Sequence, residues 1–262
     1  RNSTFYRILL PALFLFLSLL GLSCSSSKEG SEKSEPKPIE QEVVDKSIAF
    51  HGMEKLGNAD FSLTFRKMQY TYSLHKGAYE YTRTQIDSLE RTVLDILKND
   101  GLVRLVDQDT VTLDEETRAK YSRSVNSVIY FFRLPFGLND DAVIKKYQGK
   151  TTIKGREYHE VRISFEQSGG GEDFEDVFLY WFDTEDYSMD YMAYLYHTDG
   201  GGMRFREAIN QRRVEGVLIQ DYINFKPEDE TMDINNINEL YENGELTELS
   251  RIINEDVKIS LD

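Results

Sequence analysis

Two glycine triplets gather the charged side chains that could do chemistry in this sequence. In "DGGGMRFRE", residues 199–207, Arg204 and Arg206 alternate with Met203 and Phe205, and in "SGGGEDFED", residues 168–176, carboxylates follow the glycines. Backbone N–H groups in a glycine nest, backed by two arginines, would make an anion site. The alternative is that these arginines, with Arg212 and Arg213 at the next turn, pair across a sheet with Glu172, Asp173 or Asp190. A phosphate-cradling loop runs into a helix N-terminus, whereas Met203 to Arg206 alternate in the manner of a strand. The triplet therefore reads as a hairpin turn that needs positive φ.

The four histidines, at 51, 75, 159 and 197, show no metal-pair spacing. His197 and Asp199 with Glu172, Asp173, Glu175 and Asp176 could hold an oxygen-preferring cation such as calcium. A solvated acidic turn is the simpler account, and no metal is expected. His51, just before Gly52, either lines a pocket or satisfies the last carbonyl of a helix. Lys145, Lys146, Lys150 and Lys154 stand in a polar helix-to-strand region, which offers no desolvated place for a Schiff-base lysine. No dinucleotide fingerprint, P-loop or nucleophile elbow occurs, and a hydrolase or lyase would need a nucleophile–base pair that the sequence does not display. The expectation is a non-enzymatic protein without cofactor, whose candidate polar site is His51, His197, Asp199, Arg204 and Arg206.

Aromatic residues are the other feature with chemical content: 16 tyrosines and 15 phenylalanines stand against one tryptophan. Many tyrosines occupy strand positions, several on both faces of one strand, which then needs cover on both sides. Tyr70, Tyr72, Tyr79, Tyr81, Tyr191 and Tyr222, with Phe132, are the candidate lining of a cavity for a lipid or another ligand of mixed polarity. A plain aromatic core is the competing account of the same residues.

These side chains must be positioned by a mainly antiparallel β structure. "EVRISFE" (160–166) alternates with period two, and "FSLTFRKMQYTY" does so with a change of phase that a β-bulge near Arg66 and Lys67 would explain. Further strands are expected in "GAYEYTRTQI", "RTVLDIL", "LVRLV", "VFLYWFD", "MDYMAYLYH", "MRFREAI", "GVLIQDYINF" and "LSRIINEDVKIS", separated by turn signals. A helix with the stripe Val44, Ile48, His51 ends at Gly52. A second begins at a capping box of Thr112 and Glu115 and runs until Pro135, and a third, short one is expected from Asn139 through Tyr147. The order helix, strands, helices, long antiparallel run excludes a Rossmann fold or a TIM barrel.

The N-terminus sets the expected location. Arg1 and Arg7 precede an apolar run from Ile8 to Leu22, too short to span a bilayer comfortably and suited to a signal peptide over 1–23. The lone cysteine, Cys24, comes next, followed by a Ser-, Glu-, Lys- and Pro-rich tether over 24–42, so structural disulfides are excluded. Cys24 resembles a bacterial lipoprotein site, which would make it the lipidated first residue; Gly21-Leu22-Ser23 also suits an ordinary signal peptidase, leaving a secreted protein with a free thiol. Loss of residues 1–23 removes Arg1 and Arg7 and no acid, taking the formal charge from −15 to −17. Such a surface repels nucleic acid and anionic membrane. Residues 43–262 then form one domain.

The segments "VNSVIYFFRLPFGLNDDAV", "IKGREYHEVRISFEQSGGGEDFEDVFLYW" and "DYMAYLYHTDGGGMRFREA" resemble a group of Bacteroidota lipoproteins within the LolA/LolB superfamily. The resemblance covers roughly residues 43–260 and implies a curved antiparallel sheet forming an incomplete β-barrel, with short helices over its concave side and an apolar cavity for acyl chains. It further implies a lipoprotein of the cell envelope, anchored through Cys24 at the outer membrane, that binds a lipid, a lipidated protein or another hydrophobic ligand. An envelope protein with a filled barrel and a structural or protein-interaction role is the alternative. The group supplies no catalytic residues.

Overall fold

The computed structural model describes residues 36–166 and 175–261. Cys24 and most of the tether lie outside the described residues, as do the glycine triplet at 169–171, Glu172, Asp173 and the side chain of Asp199. The folded unit spans Lys37–Asp262 and its first helix, α1 (Ile39–His51), starts ahead of residue 43. Lys37 and Gln41 explain the earlier start: both hold Asp45, at 2.8 Å each.

The chain is mainly β, with two seven-stranded antiparallel sheets that do not close into a barrel. The first, sheet A, comprises β1 (Ala59–Phe65), β2 (Met68–His75), β3 (Ala78–Ile86), β4 (Thr92–Lys98), β5 (Gly101–Val106), β6 (Asp109–Val111) and, from the C-terminus, β14 (Glu255–Leu261) beside β1. Sheet B runs β7 (Val143–Ile153), β8 (Arg156–Phe165), β9 (Val177–Asp183), β10 (Met189–Tyr196), β11 (Gly202–Val214), β12 (Val217–Lys226) and β13 (Thr247–Ile252). The chain passes from β13 in one sheet to β14 in the other around Asn254. Asn254 is held there by donating its backbone N–H to Asp221 Oδ1 at 2.9 Å and its amide to Gln220 O at 2.8 Å.

Local sequence explains most of these elements. The phase change in "FSLTFRKMQYTY" is a hairpin rather than a bulge: Phe65 pairs with Met68 and Leu63 with Tyr70, around Arg66 and Lys67 at φ 48° and 65°. Two consecutive positive-φ residues match the twist of a tight hairpin. Here they lack a glycine, so no turn signal was present. Lys76-Gly77, Lys154-Gly155 and Glu215-Gly216 make the same kind of turn with the expected glycine second.

Two further expectations need correction, and one element is new. The short helix from Asn139 to Tyr147 is absent; residues 143–153 form β7, paired with β8 along its length, and Lys145, Lys146 and Lys150 lie on that strand. Its alternation of exposed and half-buried residues satisfies a sheet edge better than a helix, and Gly149, at φ 119°, sits where the register slips. The long helix, α2 (Glu115–Phe132), is capped by Asp114, which accepts from Thr117 N at 2.9 Å, rather than by Thr112. A helix not foreseen, α3 (Ile237–Glu242), follows β12.

The unforeseen helix covers the outer face of sheet B. Along β9, Phe178, Tyr180 and Phe182 face inward with α1, while Leu179 and Trp181 pack outward with Ile234, Ile237 and Tyr241. A strand buried on both faces reads as a continuous apolar run, which is how "VFLYWF" reads. The inner face of sheet A meets Val125, Ile129 and Phe132 of α2.

Candidate ligand cavity

The C-terminal half of α2 carries three consecutive aromatics, Tyr130, Phe131 and Phe132, more than one helical stripe can bury on one side. Phe132 turns to sheet A, where it lies 4.7 Å from the Phe61 ring. Tyr130 and Phe131 turn to sheet B, and there Tyr130 is 6.1 Å and Phe131 6.4 Å from Phe178. Between this helix and the inner face of sheet B lies a cavity of about 620 Å³. Phe131, Phe132, Phe165, Phe178, Tyr194 and Tyr222 give it an aromatic wall. Exposed Arg66, Lys120 and Asn126 also border it, which places them at its rim.

The polar side of the cavity comes from β11 and β12. Arg206 is 7% exposed; its guanidinium carbon stands 4.0 Å from the centre of the Phe131 ring and 5.1 Å from that of Tyr194, and its Nη2 donates to Tyr194 Oη at 2.8 Å. Its Nε is buried without a hydrogen-bond partner, and so is Oδ1 of Asn224, the residue opposite it on β12. Burial pushes the Tyr130 phenol up to about 12 and raises those of Tyr180 and Tyr222, the latter two against the opposing pull of Arg206. These phenols are therefore neutral at physiological pH.

The glycine turn beside this wall captures an anion of the protein's own. Glu230 accepts from the Met203 N–H at 3.0 Å and from Arg204 Nη1 at 2.8 Å, while Arg204 Nη2 donates to Tyr196 Oη at 2.8 Å. A Cβ at Gly202, φ 152°, would come within 2.4 Å of the Glu230 carboxylate and 2.8 Å of the Tyr196 hydroxyl, so only glycine admits the cluster. The expected partners are thus corrected: Arg204 pairs with Glu230, Asp190 accepts from Tyr158 at 3.2 Å, and Arg206 has no carboxylate partner among the described residues. Arg212 pairs with Asp221 at 3.2 Å, and Arg213 donates to Phe50 O at 2.8 Å.

A family model described as a family of unknown function, DUF6503, matches residues 12–254. The chain belongs to that family. No curated protein matches it. Among solved structures it is similar to a DUF1329 family protein from Desulfovibrio piger, at 10% identity and a TM-score of 0.49, over 85% of this chain and 93% of that one. It is also similar to a LolA superfamily protein from Nitrosomonas europaea, at 11% identity and a TM-score of 0.45, over 84% and 92% of the two chains. A lipoprotein-sorting protein domain from Vibrio parahaemolyticus aligns at 7% identity and a TM-score of 0.39, over 77% of this chain and 98% of that one.

Within this DUF6503 chain the candidate residues separate into distinct places. Phe132, Tyr222, Arg204 and Arg206 line the cavity. Tyr70, Tyr72 and Tyr81 are buried in the core of sheet A, where Tyr72 stacks on Phe61 at 4.5 Å and Tyr79 on Tyr81 at 4.6 Å. Tyr191 lies on the outer face of sheet B, 5.6 Å from Tyr241. His51 neither lines the cavity nor caps a carbonyl; its Nε2 accepts the Met189 N–H at 3.0 Å and ties α1 to β10. Burial lowers its pKa to about 3, so the ring is neutral. His197 is exposed and lies 3.4 Å from Asp176. Among the described residues no three metal-ligating side chains gather in one place.

Phe131, Phe165, Phe178 and Asn224 are lining residues that sequence reasoning missed. The aromatic triple at the end of α2 carried a signal, since only one of its members fits the helical stripe. Nothing local marked Asn224, whose place follows from the β11–β12 register alone.

Proposed function

We propose that this chain is a non-enzymatic cell-envelope lipoprotein that holds a lipid, a lipidated protein or another hydrophobic ligand between α2 and sheet B. The cavity of about 620 Å³ carries this reading, because its size and aromatic wall lie within the range of small-molecule sites. The resemblance to LolA/LolB proteins is in keeping with it. The anchor proposed is Cys24, after the apolar run 8–22. Among the described residues no helix is long and apolar enough to cross a membrane.

Native mass spectrometry of the full chain tests the cavity: a co-purified species is expected, and it should vanish when Ser127, on the cavity wall, is replaced by Trp. A chain that carries nothing and takes up nothing from a lipid extract overturns the reading. Cys24→Ser tests the anchor separately, with loss of membrane fractionation expected.

A structural or protein-interaction role is favoured by one observation. The inner face of sheet A is packed by its own rings, among them Phe61, Tyr72, Tyr81 and Phe132. Under that role the mass spectrum would show the bare protein.

A further inference from the structure

Arg206 is a buried arginine whose surroundings the described residues do not complete. Arginine keeps its charge in any protein environment and carries several N–H donors, so burying it calls for acceptors or an opposite charge. Arg206 is 93% buried, from its 7% exposure, yet has one hydrogen bond, to the neutral Tyr194 hydroxyl, and an orphaned Nε. Its charge rests on the faces of Phe131 and Tyr194. The fold can do better, as Arg83 and Arg104 show by sharing the carboxylate of Asp95 at 2.7 Å each.

The charge of the cavity points the same way. In a chain of net charge −15, the described cavity borders carry Arg66, Lys120, Arg204 and Arg206. Glu230 offsets Arg204, whereas Arg206, 7% exposed, has no carboxylate partner among the described residues. Positive potential focused into a low-dielectric cleft selects anions. Beside it, Asn224 Oδ1 leaves an acceptor for a hydroxyl or N–H on the same headgroup.

We infer that the cavity takes an anionic amphiphile with its carboxylate or phosphate on Arg206 and its apolar chain against Phe131, Phe132, Phe165 and Phe178. The inference rests on the cavity reading above and adds charge selection to it. A neutral lipid would fill the aromatic part and leave Arg206 as unsatisfied as before, which predicts discrimination by head charge at equal chain length.

Displacement of an NBD-labelled fatty acid from the full chain tests this, with oleate, oleoyl lysophosphatidate, methyl oleate and oleyl alcohol as competitors. Oleate or lysophosphatidate should compete at least about tenfold better than the ester and the alcohol, the better of the two naming the headgroup. Arg206→Gln should erase that advantage and leave oleyl alcohol unchanged, whereas Arg206→Lys should keep part of it. Equal competition by charged and neutral compounds in the wild type overturns the charge assignment alone, as does an advantage that survives Arg206→Gln. Failure of every compound, probe included, to bind overturns the cavity reading with it. Should Arg206→Gln not fold, the wild-type ratio of oleate to methyl oleate decides.

Discussion

The two sides of α2 use the same kinds of side chain and reach opposite ends. Toward sheet A, Phe61 stacks on Tyr72 at 4.5 Å and Phe132 closes on Phe61 at 4.7 Å; toward sheet B, Phe131 and Phe178 stand 6.4 Å apart at the edge of a cavity. The charges repeat the contrast. Asp95, fully buried, holds Arg83 and Arg104 on sheet A, whereas Arg206 on sheet B is buried against rings with one hydrogen bond, to the Tyr194 hydroxyl. One side closes its rings and its most buried carboxylate on each other, and the other leaves a cavity beside a buried arginine. Composition does not separate the two sides; the partner that each side chain finds does.

The strongest way to break this comparison is to remove the carboxylate from the filled side. Asp95→Asn takes the carboxylate from buried Arg83 and half-buried Arg104, and loss of one member of a buried ion cluster costs about 3–5 kcal/mol. The urea midpoint of the full chain should fall accordingly. A fall of under about 1 kcal/mol would mean that the sheet A cluster is no better satisfied than Arg206.

Ring deletion sharpens the same point. Phe61→Ala, at a buried position between Tyr72 and Phe132, should cost about 3–5 kcal/mol through a new cavity. Phe131→Ala should cost about half as much, since its half-buried ring already faces open space and its loss only enlarges it. Equal costs in chemical denaturation would show that the cavity is packed in solution.

How far the sequence disclosed this contrast depends on the range of the interactions involved. Period-two alternation in Val161, Ile163 and Phe165, the stripe Val125, Ile129 and Phe132, and the strand-like "MRFRE" follow from local pattern, and each element is present. The hairpin at Arg66-Lys67 was hidden because residues with a Cβ occupy positive φ there, and "AVIKKYQGK" because one of its faces is only half-buried and the other, including Ile144, is exposed. The site was less legible. Tyr70 and Tyr191 look alike in sequence, and only the register of β2 and β10 puts one in the sheet A core and the other under α3. Arg204 and Arg206 share a strand face, yet Glu230, distant in sequence, reaches only Arg204.

His51 offers a smaller effect, resolved by pH. Its pKa is lowered from 6.5 in the unfolded chain to about 3 by burial, so the unfolded state binds the proton more readily. The stability that a neutral His51 contributes is complete above about pH 6.5 and drains away as pH falls toward 3, at up to about 1.4 kcal/mol per pH unit. His51→Gln keeps an acceptor for the Met189 N–H and cannot protonate, so its stability should decline less steeply across that window. An unchanged slope would place the acid sensitivity elsewhere, and the tie between α1 and β10 would then not be its source.

The smallest expected effect discriminates best between the two sides of α2. Arg206→Gln removes a buried cation that no described carboxylate balances, so the unliganded protein gives up only a hydrogen bond to Tyr194 and the ring contacts, each worth about 1 kcal/mol, while losing the cost of keeping a charge out of water. These offset, and the unfolding free energy from urea titration should change by less than about 1 kcal/mol in either direction, against the several lost in Asp95→Asn. Added anionic amphiphile should then separate wild type from variant, because a ligand at a hundred times its dissociation constant stabilises the state that binds it by about 2.7 kcal/mol. An Arg206→Gln protein as damaged as Asp95→Asn would show that Arg206 serves the fold, and the two sides of α2 would differ in packing alone.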